Sequence, residues 1–243
     1  MCGLTSFEAL VELLQGARAG LGPTLSAFEV MWNDYYRFVT TRTAGVRAPI
    51  GADHRVYALV EAQGTDEAAD QARFEAWLER MLERGVIADA ALAQSLAEVQ
   101  RFWSLRDAAG EFVQTLGHDH VSFDIGLPTG SMGAYVEACR ARLEAALPGI
   151  IALFYGHIGD GNLHIVAAVP GAAPQPKGII DRTVYELVRE WGGTVSAEHG
   201  IGTRKKRWLP YCRTEAEIAL MRTLKGALDP LGILNPGKVI GTA

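Results

Sequence analysis

Two nearly uninterrupted apolar runs, IIALFYGH (150–157) and LHIVAAVP (163–170), stand on either side of the turn-rich segment Ile158–Asn162. Runs of this length bounded by turn residues predict strands, and the short connection predicts that they pair as a hairpin. The first is apolar at almost every position, so it reads as a central strand buried on both faces. Any fold for this chain must be built outward from that hairpin.

Around it the chain alternates between helical and extended patterns. Ser6 is placed to cap a helix running to about Gln15, and a second helix is predicted over SAFEVMWNDYYRFVT from Ser26. Residues 42–54 read as a loop, 55–62 as a strand and 65–84 as a helix. Val86 and Ile87 suggest a short strand, followed by a helix from about Asp89 to Arg106. HVSFDIGLP is an alternating strand, Met132–Leu147 a helix, Asp181–Trp191 a helix, Thr194–Ser196 a short strand, and Thr214–Leu228 the last helix. This order predicts an α+β fold, a largely antiparallel sheet with helices packed on one side. Two β-α-β stretches, roughly 55–125 and 121–197, fit a ferredoxin-like duplication.

Composition narrows the function. A 243-residue chain that is 49% hydrophobic buries a large core without staples. Its net charge of −5 excludes the broad basic surface of a nucleic-acid binder. No run approaches the ~20 apolar residues of a membrane span. The three cysteines, Cys2, Cys139 and Cys212, form no CxxC pair, so neither a disulfide framework nor a thiolate zinc site is expected. A reducing, cytoplasmic compartment is the expectation. No signal peptide is read at the amino end, which enters structure abruptly, as a domain of a longer chain does.

The densest chemistry is GHIGDGNLH (156–164). The hairpin places His157 at the end of one strand and His164 near the start of the next, close enough to share a metal ion. The competing reading is a Gly-Asn turn whose two histidines merely hydrogen-bond. SAEHGIG (196–202) adds Glu198 as an oxygen ligand and His199 as a base, histidine being the residue type suited to proton transfer near neutral pH. Two histidines and a carboxylate with an open position suit zinc or a similar divalent ion in a catalytic role. Arg106, in FWSLRD, is a candidate carboxylate clamp, with a solvated helix-end arginine as its alternative. The run Arg204–Arg207 either neutralises an anion or forms a solvated face, the latter favoured for Lys206 and Arg207. His118 and His120 share one face of a strand and read as exposed edge histidines, and Phe28, Trp32, Tyr35 and Tyr36 read as core.

Taken together, GHIGDGNLH, SAEHGIGTRK and LKGALDPLGILNPGK resemble the C-terminal domain of FAD-linked oxidases of the vanillyl-alcohol oxidase type. Within it they are most similar to the branch of D-2-hydroxyglutarate dehydrogenase, D-lactate dehydrogenase and the glycolate oxidase flavin subunit. LSAFEVMWNDYY and SFDIGLP extend the resemblance over nearly the whole chain. It implies that His157, His164 and Glu198 bind zinc or manganese, that His199 is the base, and that Arg106 and Asn162 hold the hydroxy-acid substrate. Asn235 falls where the tail of such enzymes approaches the flavin, and Lys205 matches a lysine without an assigned role. Two positions depart from the pattern: Ser122 where relatives often carry lysine, and Gly110 where some carry a hydroxyl. No glycine-rich dinucleotide loop is present, so FAD is expected to be held by an N-terminal domain outside these residues. An electron acceptor is implied, and that FAD-binding domain or a homodimer partner would cover the strand edges. A stand-alone metal-dependent hydrolase or lyase, and a hydroxy-acid-binding module, are the alternatives.

Overall fold

The computed structural model describes residues 1–116 and 119–240. β1 (Cys2–Leu4) opens the chain, and the Ser6 hydroxyl accepts the Ala9 amide to cap α1 (Phe7–Leu21). Leu10, Leu13, Leu14, Ala17 and Leu21 form its buried stripe. The predicted second helix is corrected: it divides into β2 (Leu25–Trp32) and α2 (Asn33–Arg42). Phe28, Val30 and Trp32 enter one core while Met31 enters the opposite one, a period of two that tertiary burial imposes. β2 lies between two strands, so apolar residues occur on both its faces and imitate a helical pattern.

β3 (Val56–Ala62) and α3 (Glu67–Glu83) follow as expected. The short strand falls at β4 (Asp89–Ala90) rather than at Val86–Ile87, and α4 (Leu96–Asp107) starts later than predicted because Ser95 caps it. α5 (Phe112–Leu116), β5 (Val121–Gly126), α6 (Met132–Ala146), β6 (Ile151–His157), β7 (Asn162–Ala168), α7 (Lys177–Glu190) and α8 (Glu215–Leu228) complete the order. Thr194–Ser196 contributes only a single bridge, Thr194 to Gly126.

Among the described residues the seven strands join one antiparallel sheet in the order β4-β1-β3-β2-β6-β7-β5. Its first four strands, with α1 and α3, form a β-α-β-β-α-β unit of order 4-1-3-2, the ferredoxin-like arrangement. β5, α6, β6, β7, α7 and the Thr194 bridge repeat that arrangement with the fourth strand reduced to one residue pair. The duplication therefore spans residues 2–90 and 121–194, not 55–125 and 121–197, because β1 and β2 escape a reading by pattern. The units meet where β2 pairs with β6.

α1, α3, α6 and α7 pack on one face over a continuous core. The other face carries a second core, built by α2, α4 and α5 on Met31, Tyr57, Leu59, Leu153 and Val166. Beside that second core the same face turns polar. Glycine makes the central hairpin feasible at two points: Gly161 has φ of 78°, and a Cβ on Gly156 would lie 2.4 Å from the Asn162 carbonyl oxygen.

Candidate functional site

Strand register writes a polar row across four strands. Glu29 on β2 stands opposite His157 on β6, and Asp124 on β5 stands opposite His164 on β7. His157 pairs with Asn162, so His164 is its diagonal neighbour. The two imidazole rings lie 5.3 Å apart, edge to face. Glu198 arrives from the loop after Thr194. Its two oxygens lie 3.4 Å from His157 Nε2 and 3.9 Å from His164 Nε2. One donor atom from each of the three lies within 4.8 Å of the others. That spacing suits a single ion held by bonds of about 2.0–2.2 Å.

Glu29 prepares this arrangement. It is buried, its Oε1 accepts from His157 Nδ1 at 2.7 Å, and its Oε2 accepts from Arg106 Nε at 2.8 Å. The carboxylate fixes the histidine tautomer, so His157 Nε2 carries the lone pair that faces Glu198 and accepts from Arg106 Nη2 at 2.9 Å. Burial opposes the charge of Glu29, but the bonds from His157 and Arg106 hold its pKa below the ordinary carboxylate value. The Glu29 bond raises the pKa of His157. Burial, with the charges of Arg106 and His157, pushes His164 down to about 4, which keeps its imidazole neutral near pH 7.

Arg106 ends α4 and lies over the Tyr155 ring. The Tyr35 hydroxyl donates to the Leu105 and Arg106 carbonyls and locks that helix end in place. The solvated-arginine alternative is thus set aside. Asn162 is 1% exposed, and its side-chain oxygen and nitrogen have no hydrogen-bond partner. A buried amide left unpaired costs free energy unless something meets it. His199 stacks 6.3 Å from His164 and is 67% exposed, open to the site's mouth.

Asp124 is fully buried and accepts the amides of Ala197, Glu198 and His199. Burial opposes its charge, yet these bonds and Lys205 hold its pKa at about 2. A depressed pKa contributes stability that is present above the unfolded value near 4 and lost as pH falls towards 2. Urea unfolding is therefore expected to show a loss of roughly 2 kcal/mol over that range, which an Asp124→Asn variant lacks.

Glu29 and Asp124 are the functional residues that pattern reading misses. Glu29 was hidden in a stretch read as helix. Asp124 shares the parity of Ser122 and Gly126, which looks like a solvent face. Of the other candidates, Asn235 stands in the exposed turn after α8 with φ of 48°. Among the described residues no hydrogen bond joins its side chain to the cluster. His118 lies outside the described residues, and His120 packs edge-on against Phe112, 6.5 Å between centroids.

Comparison with known proteins decides the family. Residues 1–239 match the family described as FAD linked oxidases, C-terminal domain. The chain belongs to the FAD-linked oxidase C-terminal domain family. This FAD-linked oxidase domain is 36% identical over 229 residues to the mitochondrial D-2-hydroxyglutarate dehydrogenase of Arabidopsis thaliana, covering 94% of the chain and 40% of that protein. It is 33% identical over 246 residues to a putative mitochondrial D-lactate dehydrogenase of Schizosaccharomyces pombe, covering 98% and 47%. A D-2-hydroxyglutarate dehydrogenase of Xanthomonas citri pv. viticola is 33% identical, covering 100% and 51%. The domain thus spans about half the length of the curated relatives it matches. Among solved structures, substrate-bound p-cresol methylhydroxylase shares the fold with a TM-score of 0.60 at 15% identity, covering 98% of this domain and 51% of that chain. The cytoplasmic expectation is corrected: the plant and yeast relatives are named as mitochondrial, beside bacterial ones. Among the described residues no helix is long and apolar enough to cross a membrane.

Proposed function

We propose that this domain is the substrate- and metal-binding half of a flavin-dependent 2-hydroxy-acid dehydrogenase, with FAD held mainly by an N-terminal domain of the full-length protein. The substrate is an acid of the D-2-hydroxyglutarate, D-lactate or glycolate type, oxidised to the 2-oxo acid. The observation that carries the reading is the convergence of His157, His164 and Glu198 beside a partly buried arginine and an unpartnered buried amide. Hydroxy-acid dehydrogenases among the relatives support it.

The donor set fits zinc or manganese: two neutral-capable imidazoles and one carboxylate, with Glu29 behind His157. A divalent ion bound there supplies Lewis acidity toward the substrate hydroxyl. A bound flavin supplies the hydride acceptor, and the orphaned Asn162 amide is suited to meet substrate or flavin. The chain's own residues do the rest. Arg106 gives its Nε–H to Glu29, and an ion on His157 Nε2 would free the Nη2 donor that now meets that nitrogen, leaving four of its five N–H donors for a substrate carboxylate. His199 accepts the hydroxyl proton on its imidazole, from a position beside the ligands but outside their set. Fixing both ends of a small acid in this way lowers the entropic barrier to its oxidation.

Elemental analysis of the purified protein, followed by a hydroxy-acid screen of the full-length protein with a dye acceptor, tests the proposal. Expected are one zinc or manganese per chain and a 2-oxo acid from at least one of the three substrates. A metal-free protein that oxidises none of them rules the reading out.

A further inference from the structure

Three consecutive backbone amides, those of Ala197, Glu198 and His199, converge on the Asp124 carboxylate at 3.2, 3.1 and 2.9 Å. Successive N–H groups turned to one side make a concavity of positive potential, of the kind that takes phosphate or another free anion. Here the anion is the chain's own side chain, delivered from β5. Ser196 Oγ donates to the same carboxylate at 3.1 Å. Lys205 Nζ reaches the Asp124 carboxylate at 3.3 Å, the Asp124 carbonyl at 3.1 Å and Ser196 Oγ at 2.9 Å. An ammonium has three protons, so Lys205 has none left for a substrate.

This settles most of the cationic run left open by its sequence. Lys206 donates to the Gly237 carbonyl and ties down the tail, and Arg207 pairs with the buried Asp181 at 2.7 Å. Lys206 is partly buried; Arg207, though paired, keeps a side chain that is 61% exposed.

We infer that Asp124, with Lys205 as its counter-ion, is the positioning residue of the site: it acts through Glu198 and His199 by fixing the loop that presents them to His164. The inference rests on the proposed function for what those two residues do, and on geometry alone for how they are held. Between the Thr194 bridge and the 3₁₀ turn that starts at Lys206, no helix or strand orders the loop. Gly200 and Gly202 both have φ above 50°, so the loop's own sequence allows many paths. Asp124 is the group that selects one. Its backbone faces His164 directly in the ladder, so the residue that aims the loop is in register with a member of the site.

Asp124→Asn and Lys205→Met test this in the purified protein. The asparagine keeps the size of Asp124 but turns an NH₂ toward amides that need an acceptor. Hydrogen exchange at residues 197–199 is expected to speed up at least ~10-fold in Asp124→Asn, while β6 and β7 keep wild-type protection. In the cobalt(II)-loaded protein the visible absorption is expected to change shape as Glu198 leaves the ion, a signature that loss of stability alone does not produce. Lys205→Met is expected to act in the same direction more weakly, and it carries the test where Asp124→Asn fails to fold. Wild-type loop protection in either folded variant overturns the inference. A wild-type protein that takes up neither cobalt nor zinc refutes the metal reading alone, because the exchange comparison still decides the role of Asp124.

Discussion

Alanine at His199 is expected to lower the kcat of the full-length enzyme by ~10²–10⁴-fold, the usual worth of a positioned general base, while metal content stays unchanged. The separation of the two readouts follows from the geometry. The His199 ring stacks near His164 but does not belong to the group whose donor atoms share one small volume. Its side chain is mostly exposed, so little packing is lost and the thermal midpoint should hardly move. Its backbone amide, which anchors the loop to Asp124, survives the substitution. Steady-state kinetics with elemental analysis of the same preparation checks this. A kcat within threefold of wild type removes His199 as the base.

Glutamine at Glu198 is expected to do the reverse, weakening zinc binding at least ~100-fold. Loss of a group behind a ligand typically costs 10–100-fold, and Glu198, with an oxygen near each histidine, is itself a proposed ligand. The side chain is half exposed and packs against no core, so unfolding in urea should be close to wild type. Zinc titration against a chelator of known affinity measures the effect. An affinity within a few-fold of wild type excludes Glu198 from the ligand set and leaves two histidines, too few for a catalytic zinc site.

Local chemistry was legible in this sequence, and pairing across distance was not. The hairpin 151–168 could be read because its apolar runs and its turn are adjacent, and that adjacency brought His157 and His164 together on paper. β2 could not, because a strand buried between two others shows apolar residues on both faces and no clean alternation. With β2 misread, Glu29 had no visible reason to meet His157, 128 residues away. The same holds for Asp124, whose partners lie 72–81 residues downstream in a loop without regular structure. The residues of the candidate site were recognisable by kind; the carboxylates that orient them became recognisable only through register. Family membership then bears out the flavin-linked reading and gives no support to a free-standing hydrolase.

The β2–β6 junction has a consequence of its own. The two ferredoxin-like units are joined there by three residue pairs, where the neighbouring ladders β2–β3 and β6–β7 each have seven. Glu29 and His157 are one of those three pairs, one partner from each unit. The short seam between the two units thus runs through the site, and neither unit owns a complete one. Because Glu29 and His157 come from different units, a change in how the two halves sit would change the spacing of that acid–imidazole pair, so the geometry of the site depends on how the halves are seated.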